Sequence, residues 1–95
     1  MVYRAALLGA MESAAADPVA AFGRRLKRLR LARGLSQEQL ADLAQLDRTY
    51  VSSCEAGRRN ATIRTIALLS LALGVDPSAM VSDLHSYGVE VDPKP

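Results

Sequence analysis

The chain has 95 residues, of which 49% are hydrophobic and 23% charged, so it is suited to one small domain. Its single cysteine and single histidine, Cys54 and His85, exclude an internal disulfide and a cysteine-based metal site within one chain. The apolar stretch at the N-terminus is short and broken by charges, which argues against a membrane span and a signal peptide, so we expect a soluble cytoplasmic protein.

The formal net charge of +2 conceals an uneven distribution along the chain. Residues 19–75 carry ten basic and four acidic side chains, whereas both ends are mildly acidic. Six of the basic residues lie close together with no acid between them: Arg24, Arg25, Lys27, Arg28, Arg30 and Arg33. A basic middle with acidic flanks favours a surface that binds a polyanion, although a solvated face is as good an interpretation of any one of these residues.

The first predicted element is an N-terminal extension, residues 1–17, whose apolar residues have the spacing of a short helix or of a frayed segment. Asp17 is expected to cap a first helix with Pro18 at its first position. This helix should run to about Arg33 and stop at Gly34. Its inward face is predicted to contain Phe22, Leu26, Leu29 and Arg30.

A second, shorter helix is predicted over about Gln37 to Ala44. Ser36 and Gln39 have the spacing of a capping box at its start, and Leu40, Ala41 and Ala44 supply an inward face. Gln45-Leu46 is then expected to form a tight turn.

A third helix is predicted over about Arg48 to Ala56, with Asp47 as its cap and Gly57 as its stop. It can bury Val51 and Cys54, and Cys54 is interpreted as a packing residue. Its outward residues are small or polar: Arg48, Thr49, Ser52 and Ser53. Two short helices joined by a tight turn, the second with such a face, are typical of a helix-turn-helix, here residues 37–56.

Two further helices complete an all-α prediction. Thr62 should cap a fourth helix over Ile63 to Leu73, which Gly74 ends. Asp76-Pro77 repeats the cap-and-proline pattern, so a fifth helix should cover about Pro77 to His85. The predicted organisation is an N-terminal extension, 1–17, a five-helix domain, 18–84, and a tail, 85–95.

The third helix is the expected reader of DNA bases, because a major groove admits one α-helix. Arg48 at its front can bind the O6 and N7 atoms of guanine, which discriminates against a wrong base by about 1–3 kcal/mol. Thr49 can contact a thymine methyl or a phosphate, and Tyr50 can reach either from the edge. Ser52 and Ser53 have side chains short enough to let the backbone of the third helix lie close to the DNA.

Two flanking groups are expected to bind phosphates and to set the register of the third helix. Gln37 lies at the start of the second helix, where free backbone N–H groups and the helix dipole favour an anion. Arg58, Arg59 and Asn60 form a polar, basic loop after the third helix. Glu55 would repel DNA unless it were paired, and a pair with Arg30 of the first helix would have a structural role.

The fourth helix is apolar on two sides. Ile63, Ile66, Leu69 and Leu73 form one stripe, predicted to be buried. A second patch is predicted to be a dimer interface; its residues are Leu68, Leu71, Met80, Val81 and Leu84. A two-fold axis would present two recognition helices to major grooves roughly 34 Å apart. The alternative is that the fifth helix or the N-terminal extension covers this patch within one chain.

The stretch from about Phe22 to Met80 resembles the Cro and phage-repressor type of helix-turn-helix domain, the XRE family. The similarity lies in Leu35-Ser36-Gln37-Glu38-Gln39-Leu40-Ala41, Arg48-Thr49-Tyr50-Val51-Ser52, Glu55-Ala56-Gly57 and Ala72-Leu73-Gly74-Val75. Residues 47–52 with Arg58-Arg59-Asn60 are also similar to controller proteins of restriction–modification systems. The chain departs from the family pattern at Gln45, where the turn usually has glycine, and at Ala56 and Ala61.

The resemblance implies a lambda-repressor-like domain that dimerises through its last helices, with Gln37 on a phosphate and an Arg30–Glu55 pair. It also implies DNA contacts by residues 48–50, 52, 59 and 60. We therefore expect a homodimeric, sequence-specific regulator of transcription that occupies a palindromic operator without catalysis or cofactor. The alternative is an antitoxin or another interaction module whose termini hold a protein partner.

Overall fold

The computed structural model describes residues 17–84, which form five α-helices. They are α1 (Pro18–Ala32), α2 (Gln37–Ala44), α3 (Arg48–Glu55), α4 (Ile63–Leu73) and α5 (Ser78–Val81). Over this range the backbone is helix, turn or coil, so the all-α prediction is confirmed. The predicted N-terminal helix and the tail lie outside the described residues. No helix of this part combines the length and the apolar character needed to cross a membrane.

The ends of α1 follow the predicted signals. The carboxylate of Asp17 accepts a hydrogen bond from the backbone N–H of Ala20 at 3.3 Å, and proline occupies the first turn. The helix ends at Ala32, one residue earlier than expected, and Gly34 follows in a left-handed conformation with φ 69°. These signals are local, which explains why the sequence locates the helix so closely.

The helix-turn-helix begins with the predicted capping box. The Ser36 hydroxyl accepts from the N–H of Gln39 at 3.0 Å, and the Gln39 side chain accepts from the N–H of Ser36 at 2.8 Å. After α2 the chain turns at Gln45, which has left-handed dihedrals, φ 57° and ψ 42°. The N–H of Leu46 then donates to the carbonyl of Ala41 at 2.8 Å and closes the turn. Gln45 thus adopts the conformation for which glycine is the usual residue, at a cost of about 1–2 kcal/mol.

Gln45→Gly is therefore expected to raise the free energy of unfolding by up to about 1 kcal/mol. Glycine removes the steric strain of the left-handed conformation, although the greater freedom of the unfolded chain offsets part of this gain. The midpoint of urea unfolding, followed by circular dichroism, measures the change. A lower midpoint would mean that the Gln45 side chain contributes more to stability than its strain costs.

The start of α3 corrects one detail of the sequence prediction. Asp47 occupies the N-cap position, but its carboxylate makes no capping hydrogen bond. The N–H that a cap would satisfy, that of Tyr50, already donates to the backbone carbonyl of Asp47 at 3.0 Å. The helix therefore starts at the predicted residue through a backbone contact, and it ends at Glu55, one residue before the predicted end.

The core lies between the five helices, each of which contributes at least one buried side chain. Seven large side chains are completely buried there: Leu26, Leu40, Val51, Cys54, Leu69, Leu73 and Met80. Burial raises the pKa of the Cys54 thiol, so this residue is a neutral packing group, as predicted. Phe22 and Ala44 also belong to this core, while Leu29 packs against it only partly buried.

Two apolar residues lie on the opposite side from that predicted. Met80, expected at a dimer interface, is fully buried because α5 packs back on α1 and inserts this side chain into the core. Ile63, expected in the buried stripe of α4, is 84% exposed at the first position of that helix. Leu68 and Leu84 are partly buried against the core, which leaves Leu71 and Val81 as the exposed members of the predicted interface.

The fifth helix is shorter than the predicted Pro77 to His85. Its carboxyl end is at Val81 because Ser82 is extended, with ψ 141°, and Asp83 is left-handed. At its start, the carboxylate of Asp76 accepts from the N–H of Ser78 at 2.9 Å, and this hydrogen bond lowers the pKa of Asp76.

Arg25 of α1 and Arg33, the residue after the end of α1, bind backbone carbonyls elsewhere in the domain. Arg25 donates to the carbonyl of Ser82 at 2.6 Å, and Arg33 donates to the carbonyl of Leu73 at the end of α4. Such cations satisfy carbonyls that have no partner within their own helix. Part of the basic cluster in residues 24–33 therefore holds the last two helices in place.

Candidate nucleic-acid interface

Helix α3 lies directly against α1. A Cβ atom added to Gly23 would meet the backbone carbonyl oxygens of Cys54 and Glu55, the latter at 2.8 Å. Only glycine permits this approach, because both neighbours are backbone atoms. Gly23 was not among the residues predicted to be important, although a glycine inside a helical pattern is a signal for close packing.

A network of side chains holds the end of α3 to α1 and α2. Arg30 binds Glu55 through two hydrogen bonds, Nε to Oε2 at 2.6 Å and Nη2 to Oε1 at 2.9 Å. The third guanidinium nitrogen donates to the carbonyl of Leu35 at 2.7 Å. The Arg30 and Glu55 side chains are only 8% and 3% exposed, and the hydrogen bonds to Glu55 raise the pKa of Arg30. The structure thus forms the expected pair, in which the positive charge of Arg30 balances the negative charge of Glu55.

Gln37 joins the same network. Its side-chain amide donates to Oε1 of Glu55 at 3.1 Å, so one of its two amide hydrogens already has a partner within the protein. The residue lies at the start of α2, beside the capping Ser36. The second amide hydrogen and the amino end of α2 remain the groups suited to a phosphate.

The starts of α2 and α3 face a common open depression of about 410 Å³. Its lining residues are Arg30, Ser36, Gln37, Glu38 and Arg48. Arg48 and Thr49 are exposed, whereas Ser52 and Ser53, one turn later, are partly buried. The two side chains best suited to reach a base edge therefore lie at the front of α3, next to the predicted phosphate site.

The loop after α3 is attached to that helix. Gly57 is left-handed, with φ 75°, and a Cβ there would come within 3.1 Å of the Cα of Ala20. The N–H of Arg58 donates to the carbonyl of Ser53 at 2.9 Å.

The side chains of this loop are exposed at all three predicted positions, Arg58, Arg59 and Asn60. The Arg59 guanidinium lies over the ring of Tyr50, 4.7 Å from its centroid. The predicted second phosphate-binding group thus lies just after the end of α3. The contact with Tyr50 was not predicted, since sequence patterns do not show side-chain stacking.

The chain is similar to proteins that regulate genes. The sequence model of the helix-turn-helix family matches residues 26–80. Control protein C.MunI of Mycoplasma sp is 44% identical over 65 residues, which are 67% of this chain and 88% of the relative. Control protein C.BamHI of Bacillus amyloliquefaciens is 41% identical over 61 residues, 63% of this chain and 75% of the relative.

A solved structure is similar to this chain as well. The crystal structure of the restriction-modification controller protein C.AhdI from Aeromonas hydrophila superposes with a TM-score of 0.65 and 47% sequence identity. The match covers 65% of this chain and 94% of that protein.

Proposed function

The chain belongs to the helix-turn-helix family of DNA-binding regulators, and we propose that it controls transcription by occupying a palindromic operator as a homodimer, with α3 in the major groove. One observation carries this proposal. The apolar side of α3 is buried in the core, its end is held by the Arg30–Glu55 pair, and its polar front is exposed. Regulation then requires only that the operator is occupied, without catalysis.

The roles of the residues follow from their places. Arg48 and Thr49 would read base edges from the front of α3. The short side chains of Ser52 and Ser53 would let the backbone of this helix lie close to the DNA. Gln37 and the loop of Arg58, Arg59 and Asn60 would bind phosphates on either side of it. These phosphate contacts set the register but carry no sequence information themselves.

Arg48→Ala is expected to relax base preference, whereas Arg59→Ala weakens binding to all sequences. Loss of a bidentate base contact costs about 1–3 kcal/mol at one position of each half-site, and loss of a phosphate contact lowers the salt slope by about one. The measurement uses the duplex that the wild-type chain selects from a random pool, its single-base variants and a random duplex, each at several salt concentrations. Equal losses by both variants on selected and random DNA would contradict the assigned roles.

The proposed dimer rests on an exposed apolar surface of α4. Leu71 is 80% exposed, and Ile63 and Ala67 lie on the same side of the helix at intervals of four residues. Val81 of α5 is also exposed. A monomer would leave these side chains in water, whereas a second copy of the chain would cover them.

Leu71→Glu is expected to convert the dimer into a monomer and to abolish cooperative binding to two half-sites. A charge at this exposed position costs little in the folded monomer but is unfavourable in an apolar interface. Light scattering coupled to size exclusion measures the mass, and circular dichroism checks the fold. Leu31→Glu, on the exposed side of α1, is the matched control because Leu31 is 57% exposed. A Leu71→Glu chain that remains dimeric would move the interface elsewhere.

A further inference from the structure

Tyr50 and Arg59 form a stacked pair whose two members differ in burial. Tyr50 belongs to α3 and packs partly buried against the core, so its ring is held by the scaffold. Arg59 lies in the following loop and is exposed. The distance of 4.7 Å from guanidinium carbon to ring centroid is within the range of a cation–π contact. The ring therefore favours one placement of an exposed side chain.

The backbone between these residues is already fixed. The N–H of Gly57 donates to the carbonyl of Cys54 at 3.1 Å, and that of Arg58 donates to the carbonyl of Ser53 at 2.9 Å. The remaining freedom of Arg59 lies in its long side chain. Ordering such a side chain opposes binding, and a stack that orders it beforehand reduces this cost.

We propose that Tyr50 is a positioning residue for Arg59: its ring holds the guanidinium against α3, so that the phosphate contact of Arg59 has a fixed register relative to the base-reading end of that helix. Tyr50 then acts on DNA through Arg59 and reads no base itself. The inference rests on the proposed function, and it assigns the tyrosine a role different from the direct contact expected from the sequence.

A double-mutant cycle on the full chain tests the proposal. The variants are Tyr50→Leu, Arg59→Ala and their combination, and affinities are measured for the selected duplex and for a random duplex. Tyr50→Leu should weaken both complexes by about two- to fivefold, the equivalent of an exposed cation–π contact. In the Arg59→Ala background the same substitution should have no further effect.

Two further variants separate the stack from other roles. Tyr50→Phe should bind like the wild type, because phenylalanine retains the aromatic face and lacks only the hydroxyl. Arg58→Ala is the matched control: Arg58 is a neighbouring exposed arginine that stacks on no ring within residues 17–84. Its loss of affinity should add to that of Tyr50→Leu. Additive losses of Tyr50→Leu and Arg59→Ala, a Phe variant as weak as the Leu variant, or an altered base preference in Tyr50→Leu would overturn the proposal.

A second measurement needs no DNA. In the free protein, NMR should show ring-current shifts of the Arg59 side-chain protons that persist in Tyr50→Phe and disappear in Tyr50→Leu. If the Leu variant does not fold, the wild-type spectrum decides, since unshifted Arg59 protons would overturn the stack. A wild-type chain that enriches no sequence from a random pool would refute the proposed function instead, and would leave these shifts intact.

Discussion

Gly23→Ala should destabilise the domain by about 3 kcal/mol, although alanine is the better helix former. Helix propensity alone favours alanine over glycine by about 1 kcal/mol in a helix interior. Here the new methyl group would lie 2.8 Å from the carbonyl oxygen of Glu55 and still closer to that of Cys54. Both are backbone atoms that cannot rotate away, so α1 and α3 have to separate, and overpacking of this kind typically costs 1–3 kcal/mol or more.

Urea unfolding of the Gly23→Ala chain measures this effect, and operator binding should fall with it because α3 is displaced. Lys27→Ala is the matched control, since Lys27 lies on the exposed side of the same helix. The free energy of unfolding of the Lys27→Ala chain should differ from that of the wild type by less than about 0.5 kcal/mol. A Gly23→Ala chain more stable than the wild type would show that propensity outweighs the contact and that the two helices are not so close.

Arg30→Ala should lower the free energy of unfolding by about 3–5 kcal/mol. The substitution leaves the carboxylate of Glu55, only 3% exposed, with the Gln37 amide as its remaining side-chain partner within residues 17–84. It also removes the donor to the carbonyl of Leu35. A buried charge without its counter-charge is among the most destabilising single changes.

The control replaces both partners. Arg30→Met combined with Glu55→Leu should recover most of the loss, because no buried charge remains and the volume is retained. Arg30→Lys should recover little, since an ammonium cannot form the two bonds to Glu55 and the third to Leu35 together. A double variant as unstable as Arg30→Ala, or a loss below about 1 kcal/mol for the single one, would mean that the pair is not what holds α3.

The helices that could be predicted are those with local signals at their ends. Asp17 with Pro18, and Ser36 with Gln39, each determine a helix start within four residues of sequence. The Arg30–Glu55 pair was also expected, because an acid beside a DNA-binding surface requires a partner. These predictions depend on hydrogen bonds between residues close together in the sequence, or on a charge that needs a counter-charge.

The errors concern contacts that depend on how helices cross. Helix α4 is apolar on two sides, so its periodicity does not decide which of its apolar side chains face the core, and Ile63 was assigned to the wrong side. Met80 was assigned to a surface patch together with Val81 and Leu84, on a fifth helix predicted to run to about His85. Gly23 and the Tyr50–Arg59 stack involve residues whose meeting depends on three-dimensional packing and not on any local pattern.

The carbonyl contacts of Arg25, in α1, and of Arg33, just after its end, distinguish the positive charge of these two residues from that of the exposed loop 58–60. Both guanidinium groups bind neutral oxygens, so their charge is retained while their hydrogen bonds are directed into the protein. Such charges still attract a DNA duplex from a distance, which accelerates encounter at low ionic strength. They add little to the contacts that must break when the complex dissociates. We therefore expect these two arginines to affect how fast the operator is found, and residues 58–60 to affect how long it stays bound.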